Sequence, residues 1–382
     1  MKPLLSILLV TLFALVSLSA CGGAQAEPVR IGLIVYLEGE AMTINSSGQP
    51  SLNGAELAVD QINASGGLRI NGRSHPVELV VASTENDAEQ AVAAARRLIE
   101  QEGVVALVGP QYSGDAIPVG GIAEEAGIPM ISGTSTNPLT TENRRFVFRA
   151  TFTDDLQAVA LADLAYSDLR ARRVAVMYDQ EDPYSSGLAL MFSESFINYG
   201  GLIVASEPFD PNDWDMDDHF ARIIEANPDL VLLPVFPAHA AYQVASLRKM
   251  GYGGHLIGSD GWDSLLLVNL PDFEGTYATT TYSVKVRTPE NEVFINEYMA
   301  VFNTEPLDSA GLIFDAFNMI FAAIELEQSF DPAAIRDGLY NLPAYTGVSG
   351  MIDFVESGDP RKPINVLKFE QGEVIFYKAI QP

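Results

Sequence analysis

Apolar and polar positions follow one another along this chain in a recurring cycle of strand, loop, helix and glycine. Residues 30–36 form an apolar run of strand length. Residues 53–64 follow with Ala55, Ala58, Val59 and Ile62 at helical spacing, stopped by Gly66 and Gly67. A second strand is expected at 77–81. Asp87 is placed to cap a helix whose Ala88, Ala91, Val92, Ala95, Leu98 and Ile99 share one face, ending at Gly103. The run 104–108 is apolar throughout, the pattern of a strand buried on both faces of a parallel sheet.

Three later blocks share one outline. Residues 104–108 lead through 109–113 to a helix ending near Gly127 and a strand at 128–131. Residues 173–178 lead through 179–186 to a helix ending at Gly200 and Gly201 and a strand at 202–205. Residues 229–235 lead through 236–239 to a helix ending near Gly251 and a strand at 256–257. Repeated strand–helix–strand units predict an α/β fold with parallel sheets covered by helices on both faces. Two such doubly wound sheets, one per lobe, account for the length at roughly 150 residues per domain.

Ligands of open α/β sheets sit beyond the carboxyl ends of the strands. That rule selects the loops 109–113, 132–138, 179–187, 236–239 and 258–262. The first two are rich in hydroxyls and begin helices, where backbone N–H groups favour an anion. The others bring Tyr184, Phe236, Asp260 and Trp262. A half that suits a carboxylate, facing a half that suits an ammonium, fits a zwitterion. A plainer reading stands beside each residue. Ser113, Ser135 and Thr136 also suit helix N-caps. Tyr184 also suits a packed loop, Asp260 a turn that bonds its own backbone, and Trp262 the core.

At the N-terminus, Lys2, the apolar stretch 4–18 and the small residues at Ser19 and Ala20 read as a secretory signal. The stretch is shorter than the ~20 residues of a membrane span, and no later run is expected to reach that length. With 22 Lys and Arg against 50 Asp and Glu, the formal charge is −28. That balance argues against nucleic acid as a partner and against an anionic lipid surface as a docking site. The single cysteine, Cys21, allows no disulfide within the chain.

Enzyme and metal signatures are missing. His75, His219, His239 and His255 lack metal-binding spacing. No G-x-S-x-G elbow, P-loop or G-x-G-x-x-G is present. Asp213, Asp215, Asp217 and Asp218 lack the glycine and terminal glutamate of a calcium loop and read as a solvated acidic segment. Neither catalysis, a cofactor nor a metal is expected.

Two resemblances sharpen this picture. Leu18-Ser19-Ala20-Cys21 resembles the lipobox of bacterial lipoproteins, which implies cleavage after residue 20 and a lipidated Cys21 on a tether, 21–27. The rest resembles the leucine/isoleucine/valine-binding family of type I periplasmic binding proteins, the receptors of ABC importers. The resemblance covers nearly the whole mature chain. It rests on Gly54–Ala58 leading to 62–67, on 90–95, on Val108-Gly109-Pro110 with Ser113, and on Ile131-Ser132 through Asn137-Pro138. It continues with Phe148-Arg149 followed by Asp154 and Gln157, Tyr178-Asp179 with Tyr184 and Gly187, and 258–261.

The family implies two lobes, 28–149 with 280–345 and 150–279 with 346–382, joined by crossovers near Arg149, 278–282 and 345–350 and closing on a ligand. By position, Ser113, Ser135 and Thr136 match residues at the ligand carboxylate, and Tyr184 and Asp260 match residues at its ammonium. Phe236 stands where some relatives have tyrosine. The stretch 38–53 is longer than the family's common pattern, which puts Glu38, Glu40 and Met42 in position to reshape the side-chain pocket. Asp263 is expected on the solvated side. The resemblance implies an extracytoplasmic, lipid-anchored receptor delivering a branched-chain or similar amino acid to an ABC permease. The alternatives are a receptor for an amide or aromatic acid, a receptor feeding a sensor and, from another class, an exported hydrolase.

Overall fold

Two sheets organise the computed structural model, which describes residues 27–37, 48–84, 87–354 and 357–381. The signal segment, Cys21, Glu38, Glu40 and Met42 lie outside the described residues. The first half of the chain supplies β1 (Val29–Tyr36), β2 (Leu68–Ile70), β3 (Arg73–His75), β4 (Val77–Thr84), β5 (Ala106–Val108), β6 (Met130–Ser132) and β7 (Val147–Arg149). It is followed by β8 (Arg173–Asp179), β9 (Leu202–Phe209), β10 (Leu230–Leu233), β11 (His255–Gly258), β12 (Tyr277–Thr280), β13 (Tyr345–Gly347), β14 (Gly350–Ile352), β15 (Ile364–Glu370) and β16 (Glu373–Ile380).

The first sheet is parallel throughout, in the order β4-β1-β5-β6-β7. Its central strands are apolar on both faces because helices cover both. The second runs β16-β15-β12-β11-β10-β8-β9. It is parallel from β9 to β12, and β15 and β16 join antiparallel. The repeated strand–helix–strand units did not foretell that edge. Gln371 and Gly372 link β15 to β16 with φ of 57° and 73°, the two positive values of a tight hairpin turn, so no crossover helix intervenes.

The helix Gly48–Ala64 starts five residues before the apolar periodicity does. Its first turn carries Gln49 and Ser51 and shows no helical stripe of its own. The helix Asp308–Glu327 is long and apolar enough to match a membrane span, contrary to the expectation that no later run reaches that length. It is buried on nearly all sides in the core of the first sheet instead. A helix that is apolar all round needs burial, and a large protein core supplies it as well as lipid does.

The chain passes from the first sheet to the second after β7 and returns after β12. It passes again after the hairpin β13–β14. Val348 and Ile352 of that hairpin belong to the first core, with Phe354 packed against it. The last passage therefore follows Phe354, beyond the 345–350 expected from the family pattern. Arg149 and Lys362 bind these passages together. The Arg149 guanidinium, fully buried, donates to Asp359 at 2.6 Å and to the carbonyls of Ser135 and Asn137 at 2.9 and 3.0 Å. Lys362 Nζ donates to the Ala150 carbonyl at 3.0 Å and to Ser349 Oγ at 2.6 Å.

Candidate ligand-binding cleft

The carboxyl ends of both sheets open onto one cleft of about 670 Å³, its mouth included. Its walls come from loops that follow strands, as open α/β sheets require. Gln111, Tyr112 and Ser113 follow β5; Thr134 and Thr136 follow β6; Tyr184 follows β8. Phe236 follows β10, Asp260 and Asp263 follow β11, and Thr281 follows β12. Asp308 and Ser309, the first residues of the helix Asp308–Glu327, complete the wall.

The loop after β5 begins at Gly109, whose φ is 85° and whose Cβ, if it had one, would lie 2.2 Å from the Ile34 carbonyl oxygen. Only glycine allows that turn beside β1. It leads into Ser113, the first residue of the helix Ser113–Ala126, so that a helix N-terminus stands at the cleft wall. The Gln111 amide is oriented by accepting from the Tyr36 N–H through Oε1 at 3.2 Å. Its Nε2 is buried without a hydrogen-bond partner among the described residues.

The six residues singled out from sequence gather at one place, in two roles. Ser113, Thr136, Tyr184, Phe236 and Asp260 line the cleft. Ser135 stands behind the wall, 1% exposed, its Oγ 2.8 Å from both Ser113 Oγ and Thr140 Oγ1. It orients Ser113. The capping alternative does not describe these hydroxyls. The residue at the N-cap position of the helix Ser113–Ala126 is Tyr112, with no side-chain cap, and Asn137 caps the short helix Pro138–Thr140.

On the opposite wall the Tyr184 hydroxyl donates to Asp260 Oδ1 at 2.8 Å and accepts from the Gly261 N–H at 2.9 Å. Ser259 Oγ is 2.6 Å away. The Tyr184 ring stacks on Phe236 with centroids 5.4 Å apart, and Phe236 meets Tyr112 edge-on at 4.9 Å. The second contact joins the two walls. Asn137 Nδ2 bridges them again, donating to the Pro183 carbonyl at 2.8 Å. Trp262 is fully buried against Phe273 and Phe369, in the core as its plainer reading had it.

Gln157 holds Asp260 from below. Its Nε2 donates to Asp260 Oδ1 at 2.8 Å and to Asp154 Oδ1 at 3.1 Å, and its Oε1 accepts from the Asp260 N–H at 3.1 Å. Burial pushes the Asp260 carboxyl up to about 6, against the opposing effect of its bonds to Tyr184 and Gln157. Asp154, wholly buried behind it, is raised further by burial and by Asp260. Among the described residues, none that lines the cleft is Lys, Arg or His.

Asp263 corrects the expectation of a solvated position. It is partly buried, lines the cleft, and caps the short helix Ser264–Leu267 through the Leu265 N–H at 3.2 Å. Burial pushes its carboxyl up to about 6, although it accepts from the Asp308 N–H. Asp308, raised by burial and by Asp263, accepts from Thr280 Oγ1 at 2.6 Å. The sequence reading passed over Asp308 and Thr281, and selected the loop of Gln111 without singling that residue out. The strand-end rule reaches Gln111 and Thr281. A charged residue opening the most apolar helix was the remaining signal for Asp308.

The two sheets, their crossovers and the cleft between strand ends define a type I periplasmic binding protein. The chain belongs to the periplasmic binding protein family, whose model matches residues 28–373. It is 28% identical over 353 residues to the Leu/Ile/Val-binding protein BraC3 of Rhizobium johnstonii, covering 91% of this chain and 93% of that one. Among solved structures it resembles a leucine-binding protein, LivK, of Thermotoga maritima, with a TM-score of 0.84 and 30% identity over 93% of this chain and 99% of that one. The branched-chain amino acid transporter substrate-binding protein LivJ of Streptococcus pneumoniae, solved in complex with isoleucine, gives a TM-score of 0.84 and 26% identity, covering 93% and 100%.

Proposed function

We propose that this protein is an extracytoplasmic receptor that captures an amino acid in the cleft and passes it to an ABC permease, and that Cys21 carries the lipid that anchors it. The observation that carries the reading is the polarity of the cleft. Hydroxyls and a helix N-terminus line one wall, and Asp260 beneath an aromatic pair lines the other. An α-carboxylate belongs on the first wall and an α-ammonium on the second. The names of its relatives support an amino acid as ligand. In this reading two lobes, 28–149 with 281–354 and 150–280 with 357–381, swing about the passages that Arg149 and Lys362 bind together.

Calorimetry of the mature chain against the standard amino acids tests the capture. At least one should bind with a Kd in the micromolar range or below, on the order of −8 kcal/mol. Failure of all of them to bind would overturn the receptor reading. The anchor is tested separately. Cys21→Ala should release the protein from the membrane fraction while leaving binding intact, since two acyl chains at about 0.8 kcal/mol per buried CH₂ supply the retention. A variant that stays with the membrane rules the anchor out.

A further inference from the structure

We infer that the ligand carries a second cationic group on its side chain, received by Asp263 and Asp308 beside the Asp260 site. The inference rests on the proposed capture of an amino acid and names its class.

Three carboxylates, Asp260, Asp263 and Asp308, line one cleft, and a fourth, Asp154, is tied to Asp260 through Gln157. Among the described residues, no basic side chain lines it with them. An α-ammonium brings one positive charge and suits Asp260. It leaves Asp263 and Asp308 in a site that loses water when the ligand enters, with no cation between them. Charged groups in such a place need a partner, or they give up their charge.

The local bonds of the pair do not satisfy it. Asp263 takes backbone N–H groups from Leu265, Asp308 and Leu266, and Asp308 takes one hydroxyl, from Thr280. These are neutral donors, and each carboxylate still lines the cavity. The repulsion shows in the proton affinities, since burial and the neighbouring Asp263 hold the Asp308 carboxyl well above the usual range. Leu266 lines the same cleft and offers apolar surface to a methylene stem ending in a cation.

A metal ion is a poor substitute. Among the described residues no three His, Cys, Asp or Glu groups converge on a metal position. A separate observation indicates an organic ligand with an acceptor as well as donors. Gln111, 4% exposed, holds its Nε2, without a partner among the described residues, in the wall of this cleft. A carboxylate oxygen answers it.

The test compares amino acids that differ in the distal charge, by calorimetry on the mature chain. The pairs are lysine with norleucine and arginine with citrulline. In at least one pair the cation should bind tighter by about tenfold or more. Asp308→Asn, checked for native melting, should bring that ratio close to one, and Asp263→Asn serves the same purpose should the first variant not fold. If norleucine and citrulline bind as well as their charged partners, or leucine is preferred to both cations, the second cationic site is overturned and the receptor reading stands. If no amino acid of either kind binds, the receptor reading fails and the inference with it.

Discussion

Asp260 sits where burial raises its proton affinity and hydrogen bonds from Tyr184 and Gln157 lower it, with burial prevailing at about 6. Its unfolded value is near 3.9. A carboxyl raised on folding stabilises the ligand-free protein below about pH 4, and that contribution is lost as pH rises through about 6. Binding has the opposite sign, because an ammonium partner favours the ionised form. Affinity should therefore fall as the pH drops below about 6, by roughly tenfold per unit for this one group, with a proton released on binding in that same range, where the free carboxyl still holds one. Calorimetry across about pH 4.5 to 7 in buffers of different ionisation heat measures both. Asp260→Asn should keep the shape and the bond to Tyr184 but remove the charge, lowering affinity about 30-fold to several thousand-fold. Loss of less than a few-fold would mean that the ligand has no cation at this carboxylate.

The helix Asp308–Glu327 links the first core to the cleft. Fourteen of its residues are buried, and its first residue is one of the cleft carboxylates. The helix Gly48–Ala64 crosses it at Gly54, where a Cβ would lie 2.3 Å from the Ala310 carbonyl oxygen. Two backbones meet there, and no flexible side chain can yield. Gly54→Ala should force the helices apart and cost about 1–3 kcal/mol, the usual range for overpacking a tight core. Urea unfolding with an unchanged m-value would register it as a fall in midpoint. Because Ala310 is two residues from Asp308, ligand affinity should fall as well. Full stability in the alanine variant would mean that this crossing is looser than the distances say.

The whole molecule depends on how its three passages between the sheets are held. Arg149, at the end of β7, bonds Asp359 near the last passage and the carbonyls of the loop that carries Ser135 and Thr136. Arg149→Met should leave those carbonyls without their donor and Asp359 without its partner. Breaking a fully buried pair costs about 3–5 kcal/mol. Asp359 is 34% exposed, so a loss of roughly 2–3 kcal/mol is expected here, read from denaturant melts. The same variant should weaken ligand binding, because the wall holding Thr136 is anchored through it. A melt within about 0.5 kcal/mol of wild type would show that the passages do not depend on this contact.

Much of this was legible in the order of residues. The apolar strand runs, the glycine stops and the helical stripes gave the α/β cycle, because local periodicity records which face of each element is buried. The strand-end rule located the cleft loops, and five of the six expected residues line the cleft. Other features depend on parts of the chain that meet only on folding. Ser135 lies behind the wall because its hydroxyl is shared with Ser113 and Thr140. Asp263 faces the cleft because Asp308, 45 positions away, donates its N–H to it. The burial of an apolar helix in protein and not in lipid, and the stitching of Arg149 to Asp359, are equally out of reach of a local pattern. Composition and periodicity fix what each element prefers; which charges end up sharing one cleft is settled only by the packing of the two sheets.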